Sequence, residues 1–141
     1  MAHWWQRMFD SGGPAPLDPA RADLVVVASG FDDAEACSTA LERATALDAD
    51  RPAVLRHHLR IPAEQVDRVC EIAAQDGYAP APRIDGVGTD ELESLILQRV
   101  QLLDALHCSQ ERSRMAGLAQ RHDGTADGWD ALQPGSATTS G

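Results

Sequence analysis

The sequence lacks lysine and asparagine, and only 4% of its 141 residues are aromatic. No apolar run approaches the roughly 20 residues that a transmembrane helix requires, and residues 1–10 lack the apolar stretch of a secretory signal. The three cysteines, Cys37, Cys70 and Cys108, form no CxxC pair, which argues against a disulfide framework and against a zinc knuckle. We therefore expect a cytoplasmic protein with reduced thiols and with neither metal nor cofactor.

Positive charge is also scarce. Twelve basic residues, all arginine, face 22 acidic residues, so the net charge is −10. This balance argues against a protein that binds nucleic acid through its phosphate backbone, because the acidic surface would repel the phosphates. It favours a protein partner with a basic segment.

The N-terminal segment concentrates the aromatic residues. Trp4, Trp5, Met8 and Phe9 would share one face of a helix. Two interpretations stay open: the cluster docks onto its own domain, or it anchors a partner. A Gly/Pro-rich linker follows, so the predicted organisation is a segment and linker over 1–22, one domain over 23–133, and a disordered tail over 134–141.

The first half of the domain alternates strands and helices. Residues 24–28 (LVVVA) predict a buried strand, and the capping-box spacing of Asp32 and Glu35 predicts a helix that begins near Asp32. Alternating apolar residues over 53–61 predict a second strand, with Pro62 in the first turn of the next helix. Gly77 is expected to cap that helix, before an extended return at Tyr78.

Two short patterns resemble a known family. His57-His58-Leu59 ends a strand and precedes a helix that runs to Gly77-Tyr78. Near the C-terminus, Leu118-Ala119 is followed by Asp127-Gly128-Trp129, which predicts a helix end, a tight Asp-Gly turn and a strand over 129–132. In this order and spacing, residues 51–133 resemble the RraB family of RNase E inhibitors.

Residues 89–106 allow two interpretations. Their apolar spacing fits one continuous helix, whereas the resemblance implies a strand somewhere in 98–106, with Ser109 capping the helix that follows. With the strand, the order is βα followed by βαββαβ. The predicted fold is therefore α+β, with a ferredoxin-like core in which helices cover one face of an antiparallel sheet, preceded by an extra βα unit.

The sequence shows no catalytic constellation. His57 and His58 are adjacent on a strand and point to opposite faces, and His107-Cys108 has no third orienting group. Trp129 has two interpretations: a large residue that closes the core, or a partly exposed hot spot beside Asp127 and Gly128.

The resemblance implies a non-catalytic regulator that binds the Arg-rich, largely disordered scaffold portion of a ribonuclease and lowers its activity. The predicted partner-binding residues are Trp4, Trp5, Phe9, Asp127, Gly128 and Trp129. Two other hypotheses stay open. One is an accessory subunit of another complex, recruited through Trp4, Trp5 and Phe9. The other is an enzyme or small-ligand sensor on the same scaffold.

Overall fold

The computed structural model describes residues 17–82 and 92–135. They form an α+β fold with five strands and three α-helices. The strands are β1 (Leu24–Gly30), β2 (Ala53–Pro62), β3 (Ala79–Pro80), β4 (Leu92–Gln101) and β5 (Thr125–Pro134). The helices are α1 (Cys37–Glu42), α2 (Val66–Ala74) and α3 (Ala105–Arg121), and a short 3-10 turn, Ala63–Gln65, leads into α2.

The strands form a single antiparallel sheet in the order β1-β5-β2-β4-β3. β2 pairs with β4 along its whole length, from Ala53 opposite Gln101 to Pro62 opposite Leu92. On its other side β2 pairs with β5, and β5 in turn pairs with β1. β2 is therefore the central strand, and its neighbours β5 and β4 both come later in the sequence.

Alternation along β2 decides where the core lies. Leu55, Leu59 and Ile61 point to the side of the helices, where they join two clusters of buried apolar residues. One cluster lies beneath α2 and the C-terminal part of α3, and the other joins α1 and the start of α3 to Trp129. Because successive side chains alternate, Arg56, His58 and Arg60 lie on the opposite face of the sheet.

Several predictions for the second strand and its helix are confirmed. The period-two pattern over 53–61 is strand β2, and Pro62 is the residue before the 3-10 turn. Gly77 ends α2 in the left-handed region at φ 85°, which glycine adopts without steric cost. The N–H groups of Gly77 and Tyr78 then donate to the carbonyls of Ala74 and Ala73, as expected of a helix C-terminus.

The prediction that the first strand is buried holds only for its second half, where Val27 and Ala28 belong to the core. β1 lies at the edge of the sheet and pairs with β5, and Val25 and Val26 keep 47% and 52% of their surface exposed. The apolar run reports strand propensity correctly. It does not report position in the sheet, because burial depends on strands that come later in the chain.

The first helix begins later than predicted. Asp32 accepts a hydrogen bond from the Ala34 N–H at 2.9 Å, and the Asp32 carbonyl accepts from the Glu35 N–H at 3.0 Å. These bonds form a turn, and α1 starts only at Cys37. Asp32 and Glu35 therefore have capping-box spacing without forming a capping box, since the turn already uses the Asp32 carboxylate.

Residues 92–101 form a strand, so the interpretation of 89–106 as one helix is wrong. The strand begins earlier than the resemblance implied, and residues 89–91 lie outside the described residues. Pairing with β2 along ten positions favours the extended form over helix propensity. The helix that follows is capped by Asp104, whose side chain accepts from the His107 N–H at 2.8 Å, so the predicted cap at Ser109 is also wrong.

The expected turn at Asp127-Gly128 is a bulge inside β5. His58 pairs with Gly128 and Leu59 pairs with Ala126, which leaves Asp127 as the extra residue. The reversal between α3 and β5 occurs earlier, at His122, Asp123 and Gly124, where Asp123 adopts a positive φ of 63°. The last strand is consequently longer than the predicted 129–132. Within the described residues, no helix is long and apolar enough to cross a membrane.

Candidate interaction surface

The sheet face opposite the helices carries a row of charged side chains. Arg56, His58 and Arg60 come from β2, and Asp127 and Asp130 come from β5. We call these five residues the sheet-face cluster. Because β2 and β5 pair side by side, these opposite charges come together, although they are about 70 residues apart in sequence.

Asp130 is the buried member of the sheet-face cluster. Only 5% of its surface is exposed, and Arg56 holds it in a two-pronged pair, with both nitrogen–oxygen distances at 2.7 Å. His58 Nε2 lies 3.2 Å from Asp130 Oδ2, without the angle of a good hydrogen bond. Burial alone would raise the pKa of Asp130, but the bonds and charges of Arg56 and the neighbouring His58 outweigh it and lower the pKa. Asp130 is therefore a structural carboxylate that already has its partner.

Asp127 and Arg60 form the exposed end of the sheet-face cluster. Arg60 Nε lies 2.9 Å from Asp127 Oδ2, and the side chains keep 44% and 37% of their surface exposed. The bulge makes this pair possible, because the extra residue in β5 re-aims the Asp127 side chain. An exposed pair of this kind contributes little to folding stability. Asp127 is thus partly exposed and paired with Arg60, and its role in partner binding stays a prediction.

Gly128 allows Phe31 to lie on this same face. A Cβ at position 128 would come within 2.5 Å of Phe31 Cδ1 and within 2.6 Å of the Gly30 carbonyl oxygen. Phe31 packs edge-on against His58, with ring centroids 5.1 Å apart, and stays 52% exposed. The structure therefore places an exposed aromatic ring beside Gly128 and His58.

The sequence-based interpretation did not single out Phe31. The available signal was an aromatic residue followed directly by Asp32 and Asp33 at the end of an apolar strand. Exposed aromatic side chains near charges are common in protein interfaces.

Trp129 lies on the other side of the sheet. Its indole is 0% exposed and belongs to the apolar cluster with Leu55 and Cys108. This position agrees with the interpretation in which Trp129 closes the core. The strand thus separates the three predicted residues, since Asp127 and Gly128 lie at the sheet-face cluster while Trp129 points to the helices. A role of Trp129 in partner binding stays a prediction. Trp4, Trp5 and Phe9 lie outside the described residues, and their proposed roles stay predictions as well.

A second polar group lies within the core. Tyr78 Oη donates to Glu111 Oε1 at 2.7 Å, and Arg99 lies over the Tyr78 ring at 4.5 Å from its centroid. Arg114 Nε contacts the same Glu111 oxygen at 3.2 Å. His57 Nε2 is 3.4 Å from Tyr78 Oη and is 2% exposed. Each polar group therefore has neighbours within the fold.

The chemistry open to this buried group is limited. Burial, followed by the charge of Arg99, lowers the pKa of His57 to about 3. Burial and the bond to Glu111 raise the pKa of Tyr78. Since neither group changes protonation near neutral pH, neither is suited to general acid–base catalysis there. The arrangement fits a role in fixing α3 against β2 and β4.

The thiols and carboxylates of the described residues do not form a metal site. No group of three or more His, Cys, Asp or Glu side chains within 17–82 and 92–135 is arranged to hold an ion. Cys37 and Cys108 are buried and free, and burial, followed by the proximity of Cys37, raises the pKa of Cys108. A thiol with a raised pKa is a poor nucleophile and a poor ligand.

The surplus negative charge remains on the surface. Nine arginines pair with carboxylates: Arg21, Arg43, Arg51, Arg56, Arg60, Arg68, Arg99, Arg112 and Arg114. Seven exposed acids make no ion pair with any other described residue: Asp18, Asp32, Glu42, Asp50, Glu64, Asp67 and Asp123. Most described arginines are therefore paired within the fold, and the acids without an ion pair are exposed.

Comparisons with family models, with curated proteins and with solved structures give no match.

Proposed function

We propose that this chain is a non-catalytic regulatory module that binds a basic segment of a partner protein in the cytoplasm. By its resemblance to the RraB family, the partner is the Arg-rich scaffold of an RNA-decay ribonuclease. The observation that carries the proposal is the distribution of charge. The net charge is −10, and most described arginines are already paired within the fold.

Unpaired carboxylates on a rigid surface favour a basic partner in two ways. They accelerate encounter through long-range attraction, and they repel acidic competitors such as nucleic acid. Asp67 illustrates the point, because it is exposed and makes no ion pair with any other described residue. Charge of this kind is free to interact with a second molecule.

We also propose that the part from β2 to β5 is a ferredoxin-like core, with β1 and α1 as an addition at one edge. The observed strand order supports this arrangement. β4 lies between β2 and β3, so the first βα unit and its return strand are split by a strand that comes later in the chain.

The charge hypothesis is tested by kinetics with a peptide. A labelled 20-residue Arg/Ser peptide should bind this protein, and raising NaCl from about 50 to 300 mM should slow its association markedly. A Glu/Ser peptide of the same length is the matched control and should not bind. Equal binding of both peptides, or an association rate that ignores salt, contradicts the charge hypothesis.

The regulatory part needs an assay with the ribonuclease itself. The protein should slow cleavage of a transcript by the complete enzyme and leave an enzyme that lacks its Arg-rich scaffold unaffected. Inhibition of both forms would show that the scaffold is not the target. If the protein binds the ribonuclease but does not slow cleavage, the proposed regulatory role is wrong.

A further inference from the structure

The outer edge of β1 presents main-chain groups that the described sheet does not use. Among residues 17–82 and 92–135, β1 pairs with β5 on one side only. The Gly135 N–H donates to the Asp23 carbonyl at 2.9 Å, and pairing continues with Val25 opposite Gln133. Main-chain groups alternate in direction along an antiparallel strand. The N–H and C=O groups of Val25 therefore point toward β5, and those of Val26 point outward.

This edge has few of the features that normally prevent strand addition. Natural edge strands are protected by charged side chains, by proline or by bulges. The sequence of β1 (LVVVASG) contains neither charge nor proline, and Val26 is 52% exposed. A bulge between Val26 and Ala28 is present, so the straight part of the edge is the half that contains Leu24 and Val26.

A groove of about 250 Å³ runs beside the edge. One wall is β1 from Val26 to Ser29, and the other is the segment from Arg43 to Ala46 that follows α1. Arg43 closes one end, since its guanidinium donates to the Ser29 carbonyl at 3.0 Å and pairs with Glu35. An extended chain in this groove would lie beside the main chain of Val26–Ser29 and would meet Arg43 at one end.

The charge around the groove identifies the occupant. Residues 31–50 contain six carboxylates and one arginine. Arg43 neutralises Glu35, whereas Glu42 and Asp50 make no ion pair with any other described residue. A second copy of this chain would bring the same carboxylates to the interface and be repelled. A segment with arginine or lysine at its ends would be attracted.

We propose that the outer edge of β1 binds the basic partner by strand addition. An extended segment with small or β-branched residues at its centre pairs with the main chain at Leu24 and Val26, and its flanking basic residues meet the carboxylates of 31–50. This inference rests on the proposed function, because it specifies where and how the basic segment binds.

A peptide tests the main-chain pairing without altering the protein. The probe is fluorescein-labelled RRSVTVTVSRR, and its twin carries N-methyl groups on the five central residues, which removes the donors on both of its edges. We expect the twin to bind at least about tenfold more weakly, because it loses several hydrogen bonds. Exchange of the Val26 amide hydrogen should slow when the unmethylated peptide is added.

Two variants of the protein complete the experiment. Val26→Pro removes an outward N–H while leaving the β1–β5 hydrogen bonds in place, as edge positions tolerate. It should weaken peptide binding about tenfold, with near-UV dichroism as the check on folding. Val26→Thr keeps the N–H and the branched shape, so it should bind as the unchanged protein does.

The outcomes separate this inference from the proposed function. Equal binding of the methylated twin overturns strand addition, and so does an Arg/Ser peptide that binds without slowing exchange at Val26. In both cases the proposed function, binding of a basic partner, is unaffected. If no basic peptide binds, both the proposal of a basic partner and the proposal of strand addition at β1 are overturned. A dimer that Val26→Pro dissolves would assign the edge to a second copy and overturn the proposal.

Discussion

Strands β5 and β1 are neighbours in the sheet, but their hydrophobic content is the reverse of what their positions would suggest. The strand with the stronger apolar run, β1, lies at the edge, and its Val26 is 52% exposed. The strand with two aspartates, a glycine and a glutamine, β5, lies inside the sheet, and its Trp129 is 0% exposed. The hydrophobic content of these two strands therefore does not determine which of them lies at the edge of the sheet.

The difference arises from how polar groups are satisfied. Asp130 receives Arg56 from the neighbouring central strand. Gln133 accepts from the Asp48 N–H and donates to the Asp48 carbonyl, both at 2.9 Å. Because their hydrogen bonds are made within the protein, these side chains are buried at little cost. β1 has no charged side chain that needs such a partner, and its outer side pairs with no described strand.

The largest test of this contrast is Trp129→Ala. Removing a fully buried indole should lower the free energy of unfolding by about 3 to 5 kcal/mol, as measured by urea denaturation. Phe31→Ala is the matched control, because the Phe31 ring is 52% exposed, and it should cost only about 1 kcal/mol. A loss below 1 kcal/mol for Trp129→Ala would remove Trp129 from the core.

A second test uses pH at the centre of the sheet. The unfolded chain protonates His57 below its ordinary pKa of about 6.5. The folded chain keeps this side chain neutral down to about pH 3. The unfolded state therefore binds the extra proton, and stability falls as pH falls through this window, by about 2 kcal/mol between pH 6.5 and pH 5.

His57→Gln should remove that part of the pH dependence, and denaturation at several pH values in both proteins gives the difference. An NMR titration checks the cause directly. If the His57 imidazole of the folded protein titrates near pH 6.5, the burial argument fails.

A third test compares two glycines. Gly128→Ala in β5 should destabilise by about 1 kcal/mol or more, because the added Cβ meets the Gly30 carbonyl at 2.6 Å and main chain does not move aside easily. Gly117→Ala in α3 should stabilise by up to about 1 kcal/mol, since alanine favours a helix and the nearest atom belongs to the flexible Arg121. Melting temperatures that shift in the same direction for both variants would contradict the bulge geometry.

The smallest effect is expected at the edge. Val26→Thr changes an exposed side chain and should alter the free energy of unfolding by less than about 0.5 kcal/mol. The same denaturation experiment measures it. A loss as large as that of Gly128→Ala would show that Val26 contributes to the core and is not available to a partner.

The sequence predicted elements well where one periodicity dominated. The alternation over 53–61 and the glycine at position 77 led directly to β2 and to the end of α2. It predicted them poorly where local signals competed. Residues 92–101 have good helix propensity, yet β2 holds them extended. Asp127-Gly128 has the composition of a turn, yet pairing with β2 before and after it makes it a bulge within β5.

The sequence by itself determined the α+β class, the excess of negative charge and the central strand β2, because composition and local periodicity carry this information. Only the tertiary structure decided that β1 is an edge, that Phe31 is exposed beside His58, and that Trp129 points to the helices. Those features depend on pairing between strands that are tens of residues apart. Their physical basis lies in contacts with distant segments, which no local pattern in the sequence encodes.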